Sequence, residues 1–225
     1  IKLLPETRLV SFFAMTEAGA VTSLSHEEQF SHPESVGRPT PGIEVRIVDD
    51  KSEDVKDGEV GEMLVRSGEP GAFTIMKGYL NRPEETAKAL REGWLYTGDL
   101  AYRDDQGYLY IADRKKDMIL SGGFNIYSKE VEGALISHND VADAAVVGVD
   151  DDKYGEAVAA FVECEVGVGL SADALIEHCR AMIASYKKPK YVVFVDTLPR
   201  NAIGKVLKHQ LSGLAPKDLR KLMRN

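Results

Sequence analysis

Cysteine is scarce in this sequence: 225 residues hold two, Cys164 and Cys179. They lie far apart with no Cys-x-x-Cys spacing, which excludes a thiolate zinc site and a disulfide framework and points to a reducing, cytoplasmic setting. An excess of positive charge is also missing. Lys and Arg total 28 against 36 Asp and Glu, a net charge of −8, so neither a nucleic-acid partner nor a charged membrane surface is expected. No apolar run is long enough to span a bilayer. The opening Ile1-Lys2-Leu3-Leu4-Pro5 has no initiator Met and no signal-peptide pattern, so it reads as a cut inside a longer protein whose N-terminal portion is missing. What is present is 44% hydrophobic residues, enough for a packed interior of one large or two modest domains. Basic charge is local: Arg114-Lys115-Lys116, Lys187-Lys188-Lys190 and the Lys205, Lys208 pair leave room for an anionic ligand.

Two patterns divide the chain. Up to Arg114, short alternating segments (43–47, 61–66, 107–111) sit between turn residues such as Pro39-Thr40-Pro41-Gly42, as in a small β-sheet or barrel. One helix, 83–91, interrupts them, with Pro83 at its start and Glu84-Glu85 in its first turn. After Arg114 the order becomes strand (118–120), helix (129–137, capped by Ser128), strands (141–149, 157–162), helix (from Ser171 to about 185) and strand (191–195). The fold class expected is therefore α+β, a β-barrel-like subdomain followed by a compact α+β domain. The boundary at 115–117 is basic and free of Gly, which suits a tight hinge better than a flexible linker.

Four segments carry candidate chemistry. In Tyr96-Thr97-Gly98-Asp99 the turn presents a carboxylate able to accept two adjacent hydrogen bonds, as a ribose diol would offer. Taken alone, an aspartate that merely caps a turn is commoner. Asp113-Arg114-Lys115-Lys116-Asp117 offers a planar guanidinium to phosphate or sugar, or simply a solvated charge run. Ser121-Gly122-Gly123-Phe124 exposes backbone to a passing ligand, or forms a plain turn. Pro199-Arg200-Asn201-Ala202-Ile203-Gly204-Lys205-Val206 is not a Walker loop, because Pro199 stands where that loop needs Gly and Val206 where it needs Ser or Thr. Lys205 is better read as a single mobile cation, although an exposed lysine is usually only surface.

Together these segments resemble the adenylate-forming superfamily of acyl-CoA synthetases, peptide-synthetase adenylation domains and luciferases. Phe13-Ala14-Met15-Thr16-Glu17 resembles its Tyr-Gly-x-Thr-Glu motif. Ser35-Val36-Gly37-Arg38-Pro39, Gly58-Glu59-Val60-Gly61-Glu62 and Lys77-Gly78-Tyr79-Leu80-Asn81-Arg82-Pro83 match its connecting pattern, and Tyr96-Thr97-Gly98-Asp99, Asp113-Arg114-Lys115-Lys116-Asp117 and Gly204-Lys205 match three more core motifs in its order. Each match is weak, but the joint order covers essentially the whole chain.

The resemblance implies residues 1–114 as the C-terminal part of the large domain, 115–117 as hinge and 118–225 as a mobile C-terminal domain. It implies an ATP-dependent carboxylic acid–CoA ligase, inactive as this piece alone, with ATP, Mg²⁺ and coenzyme A as cofactors and a carboxylic acid as substrate. Phe13 would stack on adenine, Thr16 touch the α-phosphate, Glu17 hold Mg²⁺, Asp99 bind the ribose beside Arg114, and Ile111 line the nucleotide pocket. Lys205 would be catalytic, bridging carboxylate and nucleotide. Lys116 would be the pivot, and Gly122 and Gly123 would border the coenzyme A channel. Lys205 also resembles sites where related synthetases are silenced by acetylation.

Two departures stand out. Phe13 and Ala14 replace the family's Tyr and Gly, so the adenine site loses one hydroxyl, and Leu120 stands where some luciferases carry lysine. The run from Ser121 to Glu132 is closer to acyl- and aryl-CoA ligases than to peptide-synthetase modules. A carrier-protein phosphopantetheine is the alternative acceptor, and a non-catalytic folded module the alternative class.

Overall fold

The structure, a computed structural model, describes residues 7–68, 75–165 and 169–212. The Ile1-Lys2-Leu3-Leu4-Pro5 stretch lies outside the described residues. The architecture is mixed α+β, in two compact units, Ile1–Lys115 and Lys116–Asn225.

In the first unit, β1 (Ser11–Met15) and β2 (Gly19–Leu24) form an antiparallel hairpin, and β3 (Arg38–Pro39) pairs with β2. The short helix α1 (Glu28–Ser31) lies between them in the chain. Gly37 is required here: its φ is +94°, and a Cβ would stand 2.0 Å from the Ser23 carbonyl oxygen. A second sheet holds β4 (Ile43–Val48), β5 (Gly61–Ser67), β6 (Leu90–Arg91), β7 (Trp94–Arg103) and β8 (Leu109–Arg114), in the order β4-β5-β7-β6 with β8 also on β7.

The expected barrel is therefore not closed. A barrel returns its last strand to its first, whereas among the described residues β4 and β8 do not pair with each other: β4 pairs with β5, and β8 pairs with β7 and bridges through Leu109 to Gly37. Strand β7 is long enough to divide its free edge, Trp94 and Leu95 going to β6 and Asp99 to Arg103 going to β8. The alternating residues Val21, Ile47, Met63, Val65, Ala101 and Leu109 form the core between the strands.

Several boundaries differ from those expected, and two have a clear local cause. Helix α2 (Pro83–Ala89) keeps its Pro start and acidic first turn but stops before 91, because Leu90 and Arg91 pair with β7 across a Glu92-Gly93 turn of positive φ. Strand β8 begins at Leu109 rather than 107, because the Asp104 carboxylate accepts from the Gln106 and Tyr108 amides and holds Gly107 and Tyr108 in a turn.

The second unit opens with β9 (Ile119–Ser121) and β10 (Phe124–Ile126), then α3 (Ser128–Ile136), β11 (Val141–Asp151), β12 (Gly155–Cys164), α4 (Ala172–Met182) and β13 (Tyr191–Phe194). The sheet order is β10-β9-β12-β11, with β13 parallel to β12. Period-two alternation buries both faces. Val146, Val158, Ala160 and Val162 face Val131 and Leu135 of α3 and Leu175 of α4, while Val147, Ala159 and Phe161 face Leu198 and Leu211. Cys179 is buried on α4, and burial pushes its thiol up to about 11. Both cysteines are free.

The two expected helix caps differ. Ser171 caps α4, its hydroxyl accepting from the Ala174 amide at 3.2 Å. Ser128 does not cap α3: it is the first helical residue, after Tyr127 at the N-cap. Its fully buried hydroxyl instead accepts from Lys208 Nζ at 2.7 Å. No helix among the described residues is long and apolar enough to cross a membrane.

Candidate functional site

In the first unit the β1–β2 hairpin carries Phe13, Thr16 and Glu17. Phe13 is half-buried against the core, Thr16 is exposed in the turn, and Glu17 follows it. The Glu17 backbone oxygen accepts from the Met76 amide at 2.8 Å, and its Oε1 accepts from the Tyr79 hydroxyl at 2.9 Å. Partial burial, with the nearby Glu17 carboxylate, raises the Tyr79 phenol above its ordinary value. Tyr79 was assigned no role from the sequence; its signal was only its place in the connecting Lys77–Pro83 motif.

Asp99 and Arg114 are brought together by strand register. They are direct partners on β7 and β8, and Arg114 Nε lies 2.6 Å from Asp99 Oδ1. The Asp99 side chain is 3% exposed and the Arg114 side chain 48%. A carboxylate so buried is stable when ion-paired and hydrogen-bonded. The expected Thr97-Gly98 turn is instead an irregularity inside β7, where the register with β5 shifts and Gly98 has φ 71°. Thr97 Oγ1 holds it, donating to the Met63 carbonyl at 2.7 Å and accepting from the Asp99 amide at 3.1 Å. Tyr96, Thr97 and Gly98 line an open cleft of about 540 Å³ with Tyr79 and Glu62; Asp99 is not among its lining residues. Ile111 pairs with Ala101 and packs, like Phe13, against the core of this unit.

The unit ends in a tether that sequence reasoning missed. Lys115 Nζ lies 3.0 Å from Asp50 and 3.1 Å from Glu62, and its amide donates to the Gly98 carbonyl at 2.8 Å. Burial works to lower this ammonium's pKa, but the hydrogen bonds to Asp50 and Glu62 outweigh it, so the charge is held more firmly. Lys116, the next residue, is exposed in a turn.

In the second unit, Gly122 and Gly123 form the two-residue turn of the β9–β10 hairpin, with φ of 57° and 84°. Two successive positive φ values are what such a turn demands. Gly122 also lines a pocket of about 480 Å³ with Phe124, Tyr154, Tyr186, Lys188 and Lys190, whereas Gly123 is not among its lining residues.

Lys205 sits on a tight hairpin. The Asn201 amide donates to the Lys205 carbonyl at 2.9 Å, the Gly204 amide to the Asn201 carbonyl at 2.9 Å, and the Leu207 amide to the Pro199 carbonyl at 2.7 Å. Gly204, at φ 83°, makes the reversal. Leu198 and Leu211 anchor the two ends in the core, while Ile203 at the tip is 85% exposed. Lys205 is exposed and has no ion-pair partner among the described residues. Behind it, Lys208 Nζ lies 2.6 Å from Glu132 Oε1 and 2.7 Å from the Ser128 hydroxyl, fixing the return strand to α3.

The chain belongs to the AMP-binding enzyme family: residues 1–80 match the AMP-binding enzyme domain and residues 130–205 the AMP-binding enzyme C-terminal domain. It is 42% identical to a 2-succinylbenzoate–CoA ligase of a Geobacillus species, over 92% of this chain and 41% of that protein. It is 40% identical to a long-chain-fatty-acid–CoA ligase of Bacillus subtilis, over 91% of this chain and 36% of that protein. Among solved structures, o-succinylbenzoate CoA synthetase from Bacillus subtilis, in complex with an acyl-adenylate intermediate, superposes with a TM-score of 0.82 at 37% identity, covering 91% of this chain and 41% of that one. The chain thus spans about two fifths of the length of the first of these relatives.

Proposed function

We propose that this chain is the nucleotide-gripping and lysine-bearing part of an ATP-dependent carboxylic acid–CoA ligase that forms an acyl-adenylate and then an acyl thioester. The observation that carries the reading is the buried Asp99 carboxylate held by Arg114 on adjoining strands. It is a preorganised acceptor of the kind a ribose diol needs. Phe13 packs against adenine, Ile111 lines the base pocket, and Thr16 meets the α-phosphate. The substrate carboxylate oxygen attacks the α-phosphorus, the bond to the β-phosphate oxygen breaks, and pyrophosphate leaves with that electron pair. Lys205 brings fixed positive charge to the crowded anions, which lowers the barrier through positioning and electrostatics.

The residues present fit a magnesium ion. Glu17 supplies one carboxylate, its Oε1 held by the Tyr79 hydroxyl, and Mg²⁺ characteristically uses one or two carboxylates with phosphate oxygens and water. Glu17, oriented by Tyr79, would hold it. When bound, the ion neutralises phosphate charge.

In the second half-reaction a thiol sulfur attacks the acyl carbon, the thiol proton passes to solvent, and AMP leaves. The pocket beside Gly122 favours coenzyme A as the acceptor: aromatic rings and two lysines suit a carrier with an aromatic base and several phosphates. The second unit turns about Lys116 between the steps, starting from the anchor that Lys115 makes to Glu62 and Asp50. The Lys116→Pro variant is expected to leave adenylation within about threefold and to slow thioester formation by roughly tenfold or more, because proline fixes φ at the pivot. Separate assays of the two half-reactions check this, and equal effects on both would remove Lys116 from the pivot. The reading as a whole is tested by an acid-dependent pyrophosphate-release screen on the complete enzyme, with coenzyme A and a phosphopantetheine carrier protein compared as acceptors. No acid-dependent release across fatty and aromatic acids would overturn it.

A further inference from the structure

On the sheet of the second unit, Asp143 of β11 and Glu163 of β12 are direct cross-strand partners. Like charges directly opposite each other destabilise a sheet, so a third group must compensate. That group is Arg200, on the first arm of the Lys205 hairpin. Its Nη2 donates to Asp143 Oδ2 at 2.5 Å and lies 3.6 Å from Glu163 Oε1. Its Nη1 donates to the Gly204 carbonyl at 3.1 Å. That carbonyl belongs to the peptide joining Gly204 to Lys205, so the guanidinium grips the peptide plane from which Lys205 projects. The base it pulls on is itself fixed. Asp143 Oδ1 accepts from the Ala144 amide at 2.8 Å, Glu163 accepts from the Leu198 amide, and Arg200 bridges to Val206 across the hairpin.

We propose that Arg200 is the positioning residue for Lys205: one arm of its fork neutralises the Asp143–Glu163 pair and the other sets the peptide that aims the catalytic amine. The proposal rests on the ligase reading, with Lys205 acting in adenylation. It follows that arginine is needed for its shape as well as its charge. A lysine at 200 can sit between the acids, but one ammonium on a flexible stem does not reproduce a rigid fork held at both ends.

The test uses the complete enzyme and three variants: Arg200→Lys, Lys205→Ala, and Arg200→Gln combined with Asp143→Asn and Glu163→Gln. The triple variant removes the acid repulsion with the arginine, so folding is preserved while the grip on Gly204 is lost. Acid-dependent ATP–pyrophosphate exchange reads adenylation, and thioester formation from preformed acyl-adenylate reads the second step. Arg200→Lys and the triple variant are both expected to lose roughly tenfold or more in adenylation, since an ångström of misplacement is enough for such a loss. Both should keep thioester formation within about twofold. Equal loss in the two half-reactions, as a merely structural role would give, overturns the proposal, as does full adenylation by Arg200→Lys or by the triple variant. If Lys205→Ala itself adenylates normally, the ligase reading of Lys205 fails, an outcome distinct from failure at Arg200 alone.

Discussion

Replacing Lys205 by alanine is expected to slow acyl-adenylate formation by about 10³-fold, the upper end of what removing one preorganised charge-stabilising group costs. The size of the effect follows from where the amine is held. The ends of its hairpin are buried through Leu198 and Leu211, the reversal is fixed by Gly204 and by Asn201, whose Oδ1 accepts from the Lys205 amide at 2.9 Å, and the side chain itself projects into solvent. An amine on a firm base with no carboxylate partner among the described residues is poised to meet anions from elsewhere. Because the side chain is exposed, thermal stability should stay within about 0.5 kcal/mol of the parent. Thioester formation from preformed acyl-adenylate should stay within a few-fold, since the phosphoryl chemistry is already complete. Parallel assays of both half-reactions decide the matter: a matched loss in the two would assign Lys205 to folding or docking instead of to phosphoryl transfer.

The second large effect is expected at Asp99. The Asp99→Asn variant keeps the shape of the side chain and removes the charge that Arg114 Nε meets at 2.6 Å. Hydrogen bonds to a charged group contribute about 1.5–3 kcal/mol each, so losing two to a ribose should lower kcat/KM for ATP by roughly 10² to 10⁴-fold. Stability should also fall by roughly 1–3 kcal/mol, because a buried carboxylate pair is broken from one side. The two effects are separated with a sugar analogue. The parent enzyme should prefer ATP to 2′,3′-dideoxy-ATP strongly, and Asp99→Asn should narrow that preference to about threefold. A preference that persists undiminished in the variant would show that Asp99 only braces the strand end.

Part of the candidate site's local geometry was legible in the sequence because it is locally encoded. Gly122-Gly123 and Gly204-Lys205 are turns, and the backbone requirements of a turn are met within a few residues. Thr97-Gly98-Asp99, expected as a turn, is an irregularity inside β7 with Gly98 at positive φ. The supporting partners were not legible. Tyr79 reaches Glu17 across 62 positions of sequence, Lys115 reaches Glu62 across 53, and Lys208 reaches Ser128 across 80. Ser128 shows the cost most clearly. Read locally, a serine before an apolar run is a helix cap, and only the packing of the Lys205 segment against the sheet turns its hydroxyl inward toward Lys208. The barrel-like arrangement expected for the first unit is not closed for a related reason: alternation identifies strands but says nothing about which edges meet.

Sequence alone did not suffice for β1, β2, β3, β6, β7 or β10, but it was enough for the mixed α+β class, the helices and most strands of the second unit, the turn at Gly122-Gly123 and the order of motifs shared with AMP-binding enzymes. Each of these depends on periodicity or on short-range backbone constraints. The tertiary structure alone decided the open sheet, the direct opposition of Asp99 with Arg114 and of Asp143 with Glu163, and the service of Arg200 to both acids and the Gly204 carbonyl. Strand register creates such pairs, and register is fixed by burying apolar faces drawn from distant parts of the chain.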